Sequence, residues 1–240
     1  VQVRYAGAKL ADGNSELNGF SFYAVGSGTV LDHLVSYKGN DDGFEFYGGT
    51  ASMTNAISYG NTDDSFDWQD GWQGAANTNW YAKQMVKGNY GMEIESSNNN
   101  NAYFPIVSNI TLIRDAGTEP ETSSSVEIDA IQFKKQGNGQ FNNIVINGFG
   151  NYATGGVTYT GTAVKIQDQA TNTDQVNTGK IKVTNVKMTN TTVDVLGATV
   201  SGSPLTISFP AGNFTTSTTA TGAVMNSGTW STVDGVDLLK

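Results

Sequence analysis

The sequence contains no cysteine, so neither a disulfide framework nor a thiolate metal site is open to it, and the fold must hold by packing alone. A single histidine, His33, excludes a metal centre built from clustered imidazoles. Basic residues are scarce as well. Lys and Arg total 13 against 22 Asp and Glu, and the net charge of −9 repels phosphate backbones, which makes nucleic acid an unfit partner. No apolar run approaches the roughly 18 residues that a membrane-spanning helix requires. No basic and apolar leader opens the chain. Val1 to Tyr5 reads instead as a strand already in progress, so the expectation is a coil entered part-way, with leader and earlier residues removed.

What is abundant is the material of turns. There are 29 glycines and only four prolines, many Asn, Thr and Ser, and 38% hydrophobic residues, a balance that suits a folded, turn-rich β protein with a sizeable core. Self-similarity decides which one. His33 to Phe46 aligns without a gap on Asn55 to Trp68, an offset of 22 residues. Within it lies one short strand, Phe44-Glu45-Phe46, that recurs as Phe20-Ser21-Phe22, Phe66-Asp67-Trp68, Met92-Glu93-Ile94, Ile131-Gln132-Phe133 and Val164-Lys165-Ile166. Apolar and polar residues alternate with period two, so Phe44 and Phe46, Phe66 and Trp68, Met92 and Ile94 are predicted to face inward and Glu45, Asp67 and Glu93 outward.

A second recurrent strand starts at His33, Asn55, Asn79, Asn109, Asn143 and Asn185. Coils of this size, each giving two or three short strands stacked at about 4.8 Å, make an all-β solenoid, a right-handed parallel β-helix with inserted loops. The loops are expected at residues 98–101, 118–125 and 170–179, where the spacing lengthens. The asparagine column reads as a ladder bonded from coil to coil through side-chain amides, with His33 as its first rung rather than a catalytic base. Residues 1–199 are assigned to coils and 200–240, which lose the acidic strand pattern, to a final coil and a C-terminal cap. No cap precedes Val1, so something is expected to cover that edge: upstream sequence, a second copy or another chain.

The acidic residues are the most distinctive feature. Asp41, Asp42 and Glu45 lie one repeat from Asp63, Asp64 and Asp67, with Glu93 in the next coil, so stacking crowds seven carboxylates at one corner. Like charges that close require a cation, protons or donors. Three readings follow. The corner holds Ca²⁺, a hard cation that wants six to eight oxygens. Alternatively it cleaves polysaccharides, by paired carboxylates or as a Ca²⁺-assisted lyase with Lys83, Lys87 or Arg114 accepting the proton. Or it is a turn repeat whose side chains bond their own backbone. Tyr47, Trp72 and Trp80, near these acids, are candidates for stacking on a sugar ring.

The stretch Asp41-Asp42-Gly43-Phe44-Glu45-Phe46-Tyr47-Gly48-Gly49-Thr50, followed by Asp63-Asp64-Ser65-Phe66-Asp67-Trp68, resembles a group of secreted or surface-attached bacterial β-helix proteins related to the pectin-lyase-like superfamily. The resemblance implies an extracellular or outer-surface location. It supplies no catalytic residues. Asn61-Thr62-Asp63 is similar to a carboxylate motif of polygalacturonase-type enzymes, but their Gly-His-Gly and Arg-x-Lys motifs are absent. The expectation is therefore a structural or adhesive surface module that binds Ca²⁺ and contacts glycans or copies of itself, as in a filament. A polysaccharide lyase or glycoside hydrolase is the alternative.

Overall fold

The 22-residue offset is the pitch of one coil. In the computed structural model, which describes residues 1–8, 17–99, 102–121, 126–200 and 202–240, Phe44 pairs in parallel with Phe66 and Phe46 with Trp68. The same register carries Phe66 onto Met92, Met92 onto Ile131 and Ile131 onto Val164. Phe20, Phe44, Phe66, Met92, Ile131 and Val164 thus form one continuous interior row, and its rings stack, Phe20 on Phe44 at 4.9 Å and Phe44 on Phe66 at 5.4 Å. These strands make a seven-stranded parallel sheet from Phe20–Tyr23 to Val193–Gly197.

An eight-stranded parallel sheet closes the other side of the coil, running from Gln2–Arg4 through Leu31–Tyr37 and its successors to Phe214–Thr216. Its interior row, Leu34, Ala56, Trp80, Ile110, Ile144 and Val186, meets the first row in a single core. Stacking alike residues from coil to coil removes most of each side chain from water, at about 25 cal/mol per Å² of apolar surface. No helix among the described residues is long and apolar enough to cross a membrane.

The asparagine column has a backbone cause. His33, Asn55, Asn79, Asn109, Asn143 and Asn185 all lie in the left-handed region, with φ of 54°, 51°, 58°, 61°, 59° and 56°. One such residue per coil bends the long strand around the core, and Asn tolerates this conformation better than other non-glycine residues. Coil-to-coil amide bonds form between Asn79 and Asn55 at 3.1 Å and between Asn143 and Asn109 at 2.7 Å. Elsewhere the amides find other partners: Asn55 bonds Asp32 and Asn109 bonds Thr78. The ladder is thus real but broken. Asn143→Ala is expected to cost about 1–2 kcal/mol in urea unfolding, through backbone strain and lost hydrogen bonds. Asn143→Gly should recover the backbone part.

Of the expected loops, residues 170–179 form a short helix, Gln169–Thr171, capped by the Asp168 carboxylate on Thr171 N at 2.8 Å and continued by a wider turn, Asn172–Val176. Residues 100–101 and 122–125 of the other two lie outside the described residues.

The C-terminal region departs from the expected cap. Phe214–Thr216 does supply a last strand, beside Ile181–Thr189. From Ser217 the chain then turns back and runs as a strap across the outer face of the eight-stranded sheet. Ser217 N bonds Val186 O, Thr221 N bonds Asn143 Oδ1, Ala223 N bonds Thr111 Oγ1, and Gln2 Nε2 donates to Trp230 O and Thr232 O. Arg4 pairs with Asp234 at 3.1 Å. Gly222 is obligatory in this path: at φ +67° a Cβ would stand 2.3 Å from Thr111 Oγ1. The strap ends on a small second core, where Val233 and Leu238 pack on Val35, Tyr37 and Ile57.

Candidate functional site

The turn before each short strand and the strand itself assemble the acidic wall. Register sets Glu45, Asp67 and Glu93 side by side on the outer face of the seven-stranded sheet. The preceding turns bring Asp41, Asp42, Asp63 and Asp64 beside them. One carboxylate oxygen from each of Asp42, Glu45 and Asp67 lies within 4.8 Å of the others, and the same holds for Asp41, Asp42 and Asp63. The two trios share Asp42.

Alternation does point these carboxylates away from the interior, but outward here does not mean wet. Glu45 is only 5% exposed and Asp67 7%. Neighbouring side chains close over them: Glu45 accepts hydrogen bonds from Tyr47 and Asn18 at Oε2 and from Gln69 Nε2 at 2.7 Å. Asp42 and Asp64 do the work of turn residues as well. Asp64 N bonds Asp42 Oδ1 at 3.0 Å, and Tyr90 N bonds Asp64 Oδ1 at 2.7 Å. Three coils on, Asp129 takes Thr162 N at 2.9 Å in the same manner.

Asp67 is different. Its Oδ1 is buried and has no hydrogen-bond donor among the described residues. No Lys or Arg among them forms an ion pair with Asp42, Glu45 or Asp67; Lys134, the nearest cation in the wall, is held by Glu93 at 2.6 Å and Glu95 at 3.6 Å. Burial, and then the charges of Glu93 and Glu45, push the Asp67 carboxyl well above its ordinary range. Burial with Asp67 and Asp63 does the same to Asp42, and burial with Asp63 and Glu93 to Asp64. Asp63 rises to about 7, through burial and then Glu121. The wall therefore holds protons more tightly than free carboxylates do.

Two residues that the repeat did not reveal organise its flank. Asn89 donates to Asp63 at 2.6 Å and to Glu127 at 3.2 Å while accepting Glu121 N at 2.8 Å. Arg114, 5% exposed, donates to Gln84 Oε1, Gly88 O, Asn89 O and Thr118 O. Burial lowers it only to about 10, and its guanidinium is spent on these four oxygens, so it is a brace for the turn that carries Asn89 and no proton acceptor. Arg114 stands in register with Gln84 and Asn89 stacks on the Asp63 turn, but neither residue type recurs at its coil position, so sequence periodicity passes over them. The other two proposed acceptors are also engaged: Lys83 pairs with Asp115 at 3.4 Å and Lys87 bonds Glu121 O at 3.2 Å. His33 pairs with Asp32 at 2.7 Å, with Trp230 edge-on at 4.6 Å.

The sugar-stacking trio divides. Trp72 is 1% exposed and Trp80 0%, so neither can present a face to a glycan. Trp80 follows the left-handed Asn79 and so points inward, donating Nε1 to Met53 O at 3.0 Å. Trp72 stacks on Phe46 at 4.2 Å and donates to Ala51 O at 3.0 Å. Tyr47 remains half-buried under Tyr23, whose ring lies on it at 4.2 Å and 11° and is 68% exposed.

Comparison with known proteins agrees with this architecture. A family model described as a pectate-lyase-like β-helix domain matches residues 1–233. No curated protein and no solved structure matches the chain.

Proposed function

The chain belongs to the pectate-lyase-like β-helix domain family, and from that membership we propose an extracellular or cell-surface module that takes up Ca²⁺ between Asp42, Glu45 and Asp67 and contacts acidic glycans or copies of itself through it. The observation that carries the reading is the buried, partnerless Oδ1 of Asp67, a residue whose carboxylate lies within 4.8 Å of two others. Burying a charge with neither donor nor counter-ion is costly, and a divalent cation removes that cost.

The donor set suits a hard ion. Calcium–oxygen distances of about 2.3–2.6 Å place ligands on opposite sides of one ion roughly 5 Å apart, and the three oxygens fall within 4.8 Å of one another. With no thiolate or imidazole in the group, softer metals have nothing to prefer. Held there, the ion supplies positive charge at an otherwise anionic surface, to which a glycan carboxylate or a second acidic copy can attach.

Calorimetric titration of the metal-stripped protein is expected to show saturable Ca²⁺ binding with proton release, weakened at least about tenfold by Asp67→Asn. Absence of heat together with an unchanged unfolding temperature in millimolar Ca²⁺ overturns the proposal.

A further inference from the structure

Beyond the acidic wall, where each short strand ends, the chain builds a second concave surface of a different chemistry. Gly49, Asp70, Gly71, Gln73, Asn99 and Tyr103 line an open cleft of about 370 Å³, within the range of small-molecule sites. Its walls are three successive turns held in left-handed conformations: Gly48 and Gly49 at φ 64° and 88°, Asp70 and Gly71 at 55° and 69°, Ser97 and Asn98 at 50° and 61°. The turns interlock, Gly48 N on Gln69 O at 3.0 Å and Gln73 N on Gly49 O at 3.1 Å, and a Cβ at Gly49 would stand 2.6 Å from Val25 O. These contacts tie the first two turns to each other and to Val25.

The lining is neutral apart from one carboxylate. Asp70 is aligned by Ser97 Oγ at 2.7 Å, Gln73 and Asn99 add amides that both donate and accept, and Tyr103 is 55% exposed. A lone carboxylate with amides recognises hydroxyl groups in pairs, and exposed aromatic rings cover the CH face of a sugar. With no Lys or Arg among the described lining residues, an anionic sugar is disfavoured.

We infer that this cleft is a binding site for a neutral oligosaccharide, separate from the cation wall and independent of Ca²⁺. The inference goes beyond the function proposed above, which places acidic glycans at the cation wall: it adds a second site with its own sugar class and its own residues.

The probes are cellohexaose, xylohexaose and mannohexaose, with hexagalacturonate as the acidic comparison, titrated calorimetrically with Ca²⁺ and with chelator. At least one neutral hexasaccharide is expected to bind equally in both conditions. Asp70→Ala and Tyr103→Ala, both exposed and outside the core, should each weaken it about tenfold, while Asp67→Asn should leave it unchanged. Binding of none of the three neutral sugars overturns the inference, as does binding that Asp70→Ala and Tyr103→Ala leave intact. Hexagalacturonate bound only with Ca²⁺ and lost in Asp67→Asn, with no neutral sugar bound, overturns the cleft and leaves the wall standing.

Discussion

Stripped of metal, this protein is expected to unfold at a lower temperature as the pH rises from 5 to 8, the opposite of the usual gain above the acid range. Burial and mutual charge raise Asp42, Asp64 and Asp67 above their ordinary range and Asp63 to about 7, so the native state binds protons over a pH range in which the unfolded chain has released them. Where the native state binds more protons than the unfolded state, stability falls with rising pH. The stabilisation is complete below the unfolded carboxylate range near pH 4 and is lost progressively through the folded value, about 7 for Asp63. Each proton of difference is worth about 1.4 kcal/mol per pH unit, or roughly 3–5 °C for a chain of this size.

Two manipulations test the origin of that slope. At the proposed cation site Ca²⁺ would take the place of the protons, so millimolar Ca²⁺ should flatten the slope and raise the midpoint most at pH 8. Asp67→Asn should stabilise the metal-free protein at pH 8, because an amide relieves the repulsion, and should reduce the response to Ca²⁺. Differential scanning calorimetry across pH reads both. A metal-free midpoint that climbs from pH 5 to 8 contradicts the buried acidic wall.

The second large effect lies in the core. Trp80→Ala is expected to cost about 3–5 kcal/mol of unfolding free energy. The indole is fully buried, stacks on Phe66 at 4.6 Å, stands 6.1 Å from Trp72 and bonds the Met53 carbonyl. Should the alanine variant fail to fold, Trp80→Phe serves in its place, keeping the ring contacts and losing the hydrogen bond for about 1–2 kcal/mol. Tyr23→Ala, by contrast, removes an exposed ring and should cost under about 1 kcal/mol. Urea unfolding of all three orders them, and a Trp80→Ala variant as stable as Tyr23→Ala would place the indole at the surface.

The inward position of Trp80 could have been read from the sequence. Leu34, Ala56, Ile110, Ile144 and Val186 each follow the left-handed residue of their coil, and Trp80 follows Asn79 in the same way. Repetition made the coils legible, down to the pairing of Phe44 with Phe66 and Met92 with Ile131, because a register repeated in space must repeat in the chain. It also brought Glu45, Asp67 and Glu93 together. Alternation alone cannot report depth: Glu45 is on the outer face as predicted, yet Tyr47 on the same face, Gln69 in register with it and Asn18 close over its carboxylate. Asn89, Arg114 and the strap occur once each, so no periodicity announces them.

That return segment changes how the molecule comes apart. An open stack of coils behaves as a linear array whose outermost members fray singly, each tied only to its neighbour. Here the residues that follow the last strand grip Gln2 and Arg4 of the first, so the array is closed into a ring of dependencies. Loosening the first coil means surrendering contacts more than 200 residues distant in sequence, as between Arg4 and Asp234. The coils between these contacts are accordingly expected to melt together, and docking of residues 217–234 onto Gln2 and Arg4 is a non-local step for a chain otherwise built coil by coil.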